Sequence, residues 1–398
     1  MNNYIKRKNN ELEALAQFLN VKNLKRYNNI KDIQLKKEDL VKKLRKENNK
    51  KFYHSLTNHN QLCFKTEHFD YKYTYERFNG FINIPAFANN FYNIGKKNNT
   101  QTFFTNCGMS AIAALLTSII SSNNIGIDLL YEETYFETIK YIQTLLKGKY
   151  IKKALYIDTI ASDFSFKISK EVLDKYSFVI IDTTCFLGHK FQELINDINS
   201  YNIPCILVRS HTKLDLLATE YSHIGSVSFV YPTLSKDKIK EMLLKIQNDC
   251  QHLIGVFGAC LPPEKFPQFI LDKEIIKYNK KRIDIVSKHN EKFFDFVVNK
   301  KIKIELPTHK QFCLIYLENV NYTLSELKEK IIEFCNENSN KIPIHHAVSF
   351  GFDYIALDCY QNFIDNTFKI RICISDLPSS IIHEFAKLFL NFLESLYN

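Results

Sequence analysis

The sequence predicts an α/β fold: a large, mostly parallel sheet with helices on both faces, followed by a smaller α+β domain. Two observations carry this expectation. From about residue 100, short apolar strands alternate with amphipathic helices, the pattern of a parallel sheet buried on both sides. After the proline-broken loop ACLPPEKFPQF, a long helix leads into strands and helices of a different texture. The 398-residue length leaves room for roughly two to three domains. Hydrophobic residues at 45% and charged residues at 24% match soluble globular chains and exclude wholesale disorder or a low-complexity fibre.

Taken in order, the first fifty residues carry much of the lysine excess behind the net charge of +10, with apolar residues recurring at helical spacing. This predicts two short amphipathic helices forming a basic arm over residues 1–75. The favoured reading is a solvated arm that packs on its own protein or a partner subunit; a nucleic-acid arm is the alternative. Over 76–262 the expected strands are KKALYID (152–158), FVIID (178–182), PCILVRS (204–210) and GSVSFVY (225–231). MSAIAALLTSII, YFETIKYIQTLL and KFQELINDINSY are the helices among them. Over 263–398, KIKIELP, FCLIYLEN and FKIRICIS read as strands, and LSELKEKIIEFCNEN and SIIHEFAKLFLNFLESL as helices.

The ten cysteines form no CxxC pair and mostly sit in apolar runs, so buried free thiols in a reducing cytoplasm are expected rather than disulfides or zinc. His345 and His346 are adjacent, point apart on a strand or turn, and read as surface histidines rather than metal ligands. The charged start MNNYIKRKNNELEALAQ is followed by no apolar segment, and no stretch of about eighteen uncharged apolar residues occurs. Neither secretion nor membrane spanning is expected.

Four segments carry chemistry. Lys213, in RSHTKLD directly after a strand, is suited to forming a Schiff base while its hydroxyl neighbours Ser210 and Thr212 hold a phosphate. Upstream, FVIIDTTCF ends a buried strand on Asp182, a costly place for a carboxylate unless it meets a cation such as a protonated pyridine nitrogen. TNCGMSAIAALL sets Gly108, Met109 and Ser110 at the start of an apolar helix, where free N–H groups and the helix dipole attract a phosphate. Tyr131, in DLLYEET, can stack on an aromatic cofactor ring.

In this order the segments resemble the pyridoxal-phosphate enzymes of the aspartate aminotransferase fold (fold type I). They most closely resemble the cysteine and methionine metabolism family of cystathionine γ-lyase, cystathionine γ-synthase and methionine γ-lyase. That family's Ser-Gly-Met cup is similar to Cys107-Gly108-Met109, and its Tyr-Gly-Gly-Thr segment to Tyr131-Glu132-Glu133-Thr134. Its Asp-Asn-Thr motif resembles Asp182-Thr183-Thr184, and its Ser-x-Thr-Lys motif Ser210-His211-Thr212-Lys213. The family's Tyr-x-Arg segment, which reaches across a dimer interface to the neighbouring phosphate, resembles Tyr75-Glu76-Arg77. Ala347-Val348-Ser349-Phe350-Gly351 resembles the Ala-Val-Ser-Leu-Gly of methionine γ-lyase-like members, and Lys369 to Ser375 resembles the strand whose arginine binds the substrate carboxylate.

The resemblance implies a seven-stranded-type sheet and a pyridoxal phosphate bound by these cup residues, Thr184 included. It implies Lys213 and Tyr131 as catalytic groups, Arg371 and Ser349 as substrate ligands, no metal, and a homodimer or homotetramer. Arg371 suits a substrate carboxylate because its planar fork makes two parallel hydrogen bonds. The implied reaction is elimination or replacement at Cγ, or at Cβ, of an amino acid through an external aldimine and a Cα carbanion, as in a carbon–sulfur lyase or γ-replacement transferase. An aminotransferase or other chemistry of the same fold is the enzyme alternative. A catalytically silent binding or regulatory module using the basic arm is the alternative of another class. The chain departs from the family at Glu132 and Glu133, which replace two glycines. It departs again in the stretch KFQELINDINSYNIP between Asp182 and Lys213, and at Arg209 and His211 beside the phosphate hydroxyls. These departures point to a specialised member.

Overall fold

The computed structural model describes residues 1–53, 62–65, 70–74, 81–84, 87–94, 99–132, 134–161, 164–165, 167–186, 189–212, 214–231, 237–298, 300, 302–361 and 367–397. Two helices, α1 (Asn2–Gln17) and α2 (Ile30–Tyr53), open the chain. A small antiparallel sheet that the sequence pattern did not signal follows, of β1 (Leu62–Lys65), β2 (Asp70–Thr74) and β3 (Phe81–Asn83), and then helix α3 (Phe87–Tyr92).

The large sheet begins with β4 (Asn99–Thr105), helix α4 (Gly108–Thr117), β5 (Ile125–Leu129) and helix α5 (Phe136–Leu145). It continues through β6 (Lys152–Asp158), α6 (Lys170–Leu173), β7 (Val179–Asp182), α7 (His189–Ser200), β8 (Cys205–Ser210), β9 (Gly225–Tyr231) and α8 (Asp237–Val256). The strand order is β4-β9-β8-β7-β6-β5, six strands among the described residues against the seven expected. Strands β5 to β8 run parallel, and β9 runs antiparallel to both β8 and β4. The reversal has a simple cause: among the described residues no helix crosses back between β8 and β9, so β9 starts at the end where β8 stops.

Successive residues of these strands enter different cores. Leu155, Ile157, Val179, Ile181 and Leu207 join one cluster, whereas Tyr156, Ile180, Ile206 and Val208 join the cluster on the other face. Burial on both faces explains why the strands read as unbroken apolar runs. The stretch KFQELINDINSYNIP is largely α7, the ordinary crossover between two parallel strands. The basic arm packs on its own chain: Leu12, Leu15, Ile33, Leu40 and Leu44 lie in the first of these cores.

Helix α9 (Lys273–Val298) leads to the second sheet, of β10 (Ile304–Glu305), β11 (Cys313–Leu317), β12 (Ile344–His346), β13 (Ile355–Gln361) and β14 (Phe368–Cys373). Its order is β10-β11-β14-β13-β12, with only the β12–β13 pair parallel. Helices α10 (Leu324–Asn338) and α11 (Ser379–Ser395) share its apolar core. The start of α10 follows from Thr323 and Glu326, which form a capping box: the Thr323 hydroxyl accepts from Glu326 N–H, and Glu326 accepts from Thr323 N–H at 2.7 Å. Among the described residues no helix is long and apolar enough to cross a membrane.

Candidate functional site

A cavity of about 260 Å3 opens beyond the carboxyl ends of β6, β7 and β8, walled on the other side by β14 and the segment Val348–Phe352. Such a position, outside the strand ends of an open α/β sheet, is where ligands bind in folds of this kind. Two carboxylates stand there as register partners, Asp158 at the end of β6 and Asp182 at the end of β7, 2% and 6% exposed. The backbone orients both. Asp182 Oδ1 accepts from Thr184 N–H at 2.9 Å, and Asp158 accepts from Tyr135 N–H at 2.8 Å and Ile160 N–H at 2.9 Å. The Tyr156 hydroxyl nearby is pushed well above its ordinary pKa, by burial first and then by the charges of Asp182 and Asp158.

A third wall is the start of α4. Cys107 caps it in an extended conformation, its Sγ accepting from Ser110 N–H at 3.3 Å, while Ala111 N–H bonds the Cys107 carbonyl. The first-turn N–H groups of Gly108 and Met109 are then the helix's orphan donors at the cavity. Glycine is needed here for proximity. A Cβ on Gly108 would lie 2.8 Å from Ser210 Cβ, and one on Gly225 would lie 2.2 Å from the Cys107 carbonyl oxygen. The helix start is therefore pressed onto the ends of β8 and β9, with Ser210 and Thr212 beside it in the cavity wall. Thr184 Oγ1 accepts from Ser210 N–H at 3.1 Å and ties β7 to the same corner.

Arg209 and His211, unexpected beside these hydroxyls, face away from the cavity into a buried network. Arg209 makes a bidentate pair with Asp215, both contacts 2.7 Å, and donates to the carbonyls of Phe186 and Thr183. Its guanidinium lies 5.5 Å from the Phe91 ring centroid. His211 Nδ1 meets Asp215 at 2.7 Å and Nε2 meets the Ser226 hydroxyl at 2.8 Å, so the carboxylate fixes the tautomer with Nδ1 as donor. Burial depresses the His211 pKa and keeps the ring neutral; Asp215 is held low because Arg209 outweighs its own burial. The network ties Arg209 and His211 to Asp215 and Ser226.

Arg371 and Asp358 are cross-strand partners on β14 and β13. One guanidinium nitrogen of Arg371 donates to the Val348 carbonyl at 2.5 Å and lies 3.3 Å from Asp358, and the guanidinium sits 5.9 Å from the Phe312 ring centroid.

The cavity thus gathers Cys107, Gly108, Met109, Asp182, Thr184, Ser210, Thr212, Ser349 and Arg371 from segments up to 264 positions apart. Tyr131 is placed differently. Its ring packs against Phe164 at 5.8 Å, and its hydroxyl bonds the backbone of Ser165, so it stands outside the cavity wall. The turn closed by the Thr134 hydroxyl on the Tyr131 carbonyl, and the Asp158 bond to Tyr135 N–H, deliver Tyr135 instead. The Tyr135 hydroxyl is raised above its ordinary pKa by burial and by Glu137, and it feels the charges of Arg371 and Asp182. Lys213, Tyr75, Arg77 and Glu133 lie outside the described residues. The neighbours of Lys213 are described: Thr212 lines the cavity and Leu214 is buried. Glu132 is exposed. Asp158 escaped the sequence reading although its signal was present, a second apolar strand ending on aspartate in KKALYID.

The sequence matches no family model and no curated protein. Among solved structures, 8-amino-7-oxononanoate synthase from Francisella tularensis is similar over 90% of this chain and 94% of its own, at 14% identity and a TM-score of 0.50. This is the aspartate aminotransferase fold, fold type I. Also similar are cystathionine gamma synthase from Xanthomonas oryzae pv. oryzae (10% identity, 74% of this chain and 82% of that one, TM-score 0.49) and a methionine gamma lyase from Micromonospora echinospora (11%, 74% and 81%, 0.48). In fold type I terms the large sheet with its cavity precedes the smaller sheet that bears Arg371.

Proposed function

We propose that the chain is a pyridoxal-phosphate-dependent enzyme that acts on an amino acid, eliminating or replacing a group at Cγ or Cβ. One observation carries this reading: a helix N-terminus, two hydroxyls, a buried strand-tip carboxylate and an arginine fork converge on one cavity. The cofactor's functional groups match that set. The N–H groups of Gly108 and Met109, with the hydroxyls of Ser210 and Thr212, suit a phosphate dianion. Asp182, oriented by Thr184 N–H, suits a protonated ring nitrogen and would keep that proton in place. The bound cofactor supplies an electron sink for the pair left on Cα when its proton is removed.

The chain's own groups do the rest. Arg371 holds the substrate carboxylate and so fixes which bond at Cα faces the base. Lys213, directly after Thr212, is the attachment point and the base that takes the Cα proton. Tyr135 takes the place that the motif comparison gave to Tyr131, stacking on the ring or relaying a proton at the leaving group. The γ-lyase-like likeness of Ala347 to Gly351 favours chemistry at Cγ, and the resemblance supports a homo-oligomer in which Tyr75 and Arg77 serve the neighbouring site. The arm's buried cations Arg7, Lys8 and Lys37 are spent on carboxylates of the same chain, which counts against the nucleic-acid reading.

The test is an absorption spectrum of the purified protein before and after borohydride, with a peptide map of the product. A visible band that disappears, with pyridoxyl mass on Lys213, is the expected outcome. Failure to take up added pyridoxal phosphate, or an adduct on another lysine, refutes the assignment.

A further inference from the structure

The amino-terminal helices bear on the cavity through a carboxylate. We propose that Lys8 and Lys37 are positioning residues for the carboxylate-binding wall of the cavity, acting through Asp353. The wall is the six-residue segment Val348–Asp353. At one end the Val348 carbonyl accepts from Arg371, and in the middle Phe350 and Phe352 line the cavity. Gly351 turns the chain at φ +89°, a conformation that suits glycine. At the other end the segment is fastened from outside. The Phe352 carbonyl accepts from Arg282 at 2.6 Å and from the Ser375 hydroxyl at 2.7 Å, and the Asp353 carbonyl accepts from Gln34 of α2 at 3.0 Å. The Asp353 carboxylate receives Lys8 of α1 at 2.7 Å and Lys37 of α2 at 2.5 Å, all three groups being nearly or fully buried.

A lysine ammonium from each arm helix thus converges on one carboxylate, one residue beyond a cavity-lining phenylalanine. Lys8 also reaches Asp376 at 2.9 Å and Glu11 at 3.1 Å, and Arg7 reaches Asp376 at 2.9 Å. Four cations, with Arg282 the fourth, therefore surround three carboxylates. With that surplus, removal of Lys37 leaves Asp353 on Lys8, and the fold survives while the segment loses one of its two ammonium anchors. Any displacement of Asp353 is carried along the short segment to the carbonyl that Arg371 holds, and so to the place where the substrate carboxylate docks. The substrate part of this inference rests on the proposed function.

The experiment uses the full chain loaded with pyridoxal phosphate, titrated with L-methionine and with 3-(methylthio)propylamine, which lacks only the carboxylate, and read by cofactor absorbance. Lys37→Met is expected to raise the half-saturating L-methionine concentration about tenfold, because small misplacements of a docking group cost that much or more. The amine and the cofactor itself shift by less than about twofold, and Lys37→Arg restores the native value. Equal shifts for both probes, or none, overturn the proposal. Hydrogen exchange at residues 348–353 is read in parallel and needs no cofactor. Faster exchange in Lys37→Met supports the positioning role, and an unchanged rate overturns it whatever the spectra show. A protein that takes up no cofactor refutes the proposed function instead, leaving the exchange rates to decide this one. Should Lys37→Met fail to fold, Gln34→Ala at the Asp353 carbonyl takes its place in the same comparison.

Discussion

Two sets of buried carboxylates are held in contrasting ways. Under the arm, Asp353 and Asp376 each lie within 2.9 Å of two cations, drawn from α1, α2 or both. At the open end of the large sheet, Asp158 and Asp182 are oriented by backbone N–H groups of their own strand ends and of Tyr135. A carboxylate clamped by lysines is committed to the fold, because removing it strands charges in a dry interior. A carboxylate oriented by peptide dipoles at a cavity keeps its charge aimed at whatever enters. Burial is common to both sets; buried cations hold the first, whereas peptide N–H groups, with the Tyr156 hydroxyl beside Asp182, orient the second.

That contrast can be broken by mutation. Asp353→Ala removes the nearest carboxylate from both buried lysines, leaving Lys37 only Glu11 at 3.5 Å, and is expected to cost about 3–5 kcal/mol in urea unfolding. A loss below about 1 kcal/mol would remove the distinction. On the cavity side the rigid element is backbone contact, so Gly225→Ala, which drives a methyl into the Cys107 carbonyl, should cost up to about 3 kcal/mol and loosen the start of α4. Acid titration separates the sets further. Asp353 is held down to about 2, because Lys37 and Lys8 together outweigh its burial. Its folded pKa lies below the unfolded value, so its share of stability, about 2 kcal/mol, is present above about pH 4 and is lost as pH falls toward 2. His211, kept neutral by burial, adds a loss that begins as pH falls below about 6.5, since the unfolded chain then binds a proton that the folded ring resists. Stability flat between pH 7 and 3 would contradict both. The smallest effect on stability is expected from Asp182→Asn, within about 1 kcal/mol, because the amide oxygen still accepts from Thr184 N–H. Its effect should appear in a weakened hold on added pyridoxal phosphate, measured by absorbance titration.

Much of the large sheet was legible. KKALYID and GSVSFVY coincide with β6 and β9 to the residue, because both are buried on two faces over most of their length. Strands β4 and β5 were missed. NTQTFFT is polar over its first four residues, and IGIDL is short and interrupted by glycine. The Gly108 helix start, Asp182, and Ser210 with Thr212, which the sequence marks because each sits at the junction of a strand or helix with a turn, stand together in the cavity wall. Tyr131, to which the motif points, lies against Phe164 and Ser165, whereas a hydrogen-bonded turn and the Asp158 cap bring Tyr135 to the cavity.

The sequence by itself determined the alternation of strands and helices, the change of texture after residue 262, the two arm helices and the candidate residues at strand tips. These are local properties: hydrophobic period, capping and turn chemistry are written in neighbours a few positions apart. The tertiary structure alone decided that β9 runs antiparallel, that Arg209 and His211 face a buried aspartate, and that Lys8 and Lys37 anchor Asp353 some 316 to 345 positions away. A lysine on an amphipathic helix looks the same in sequence whether water or a distant carboxylate receives its charge. Only the packing that excludes the water tells them apart.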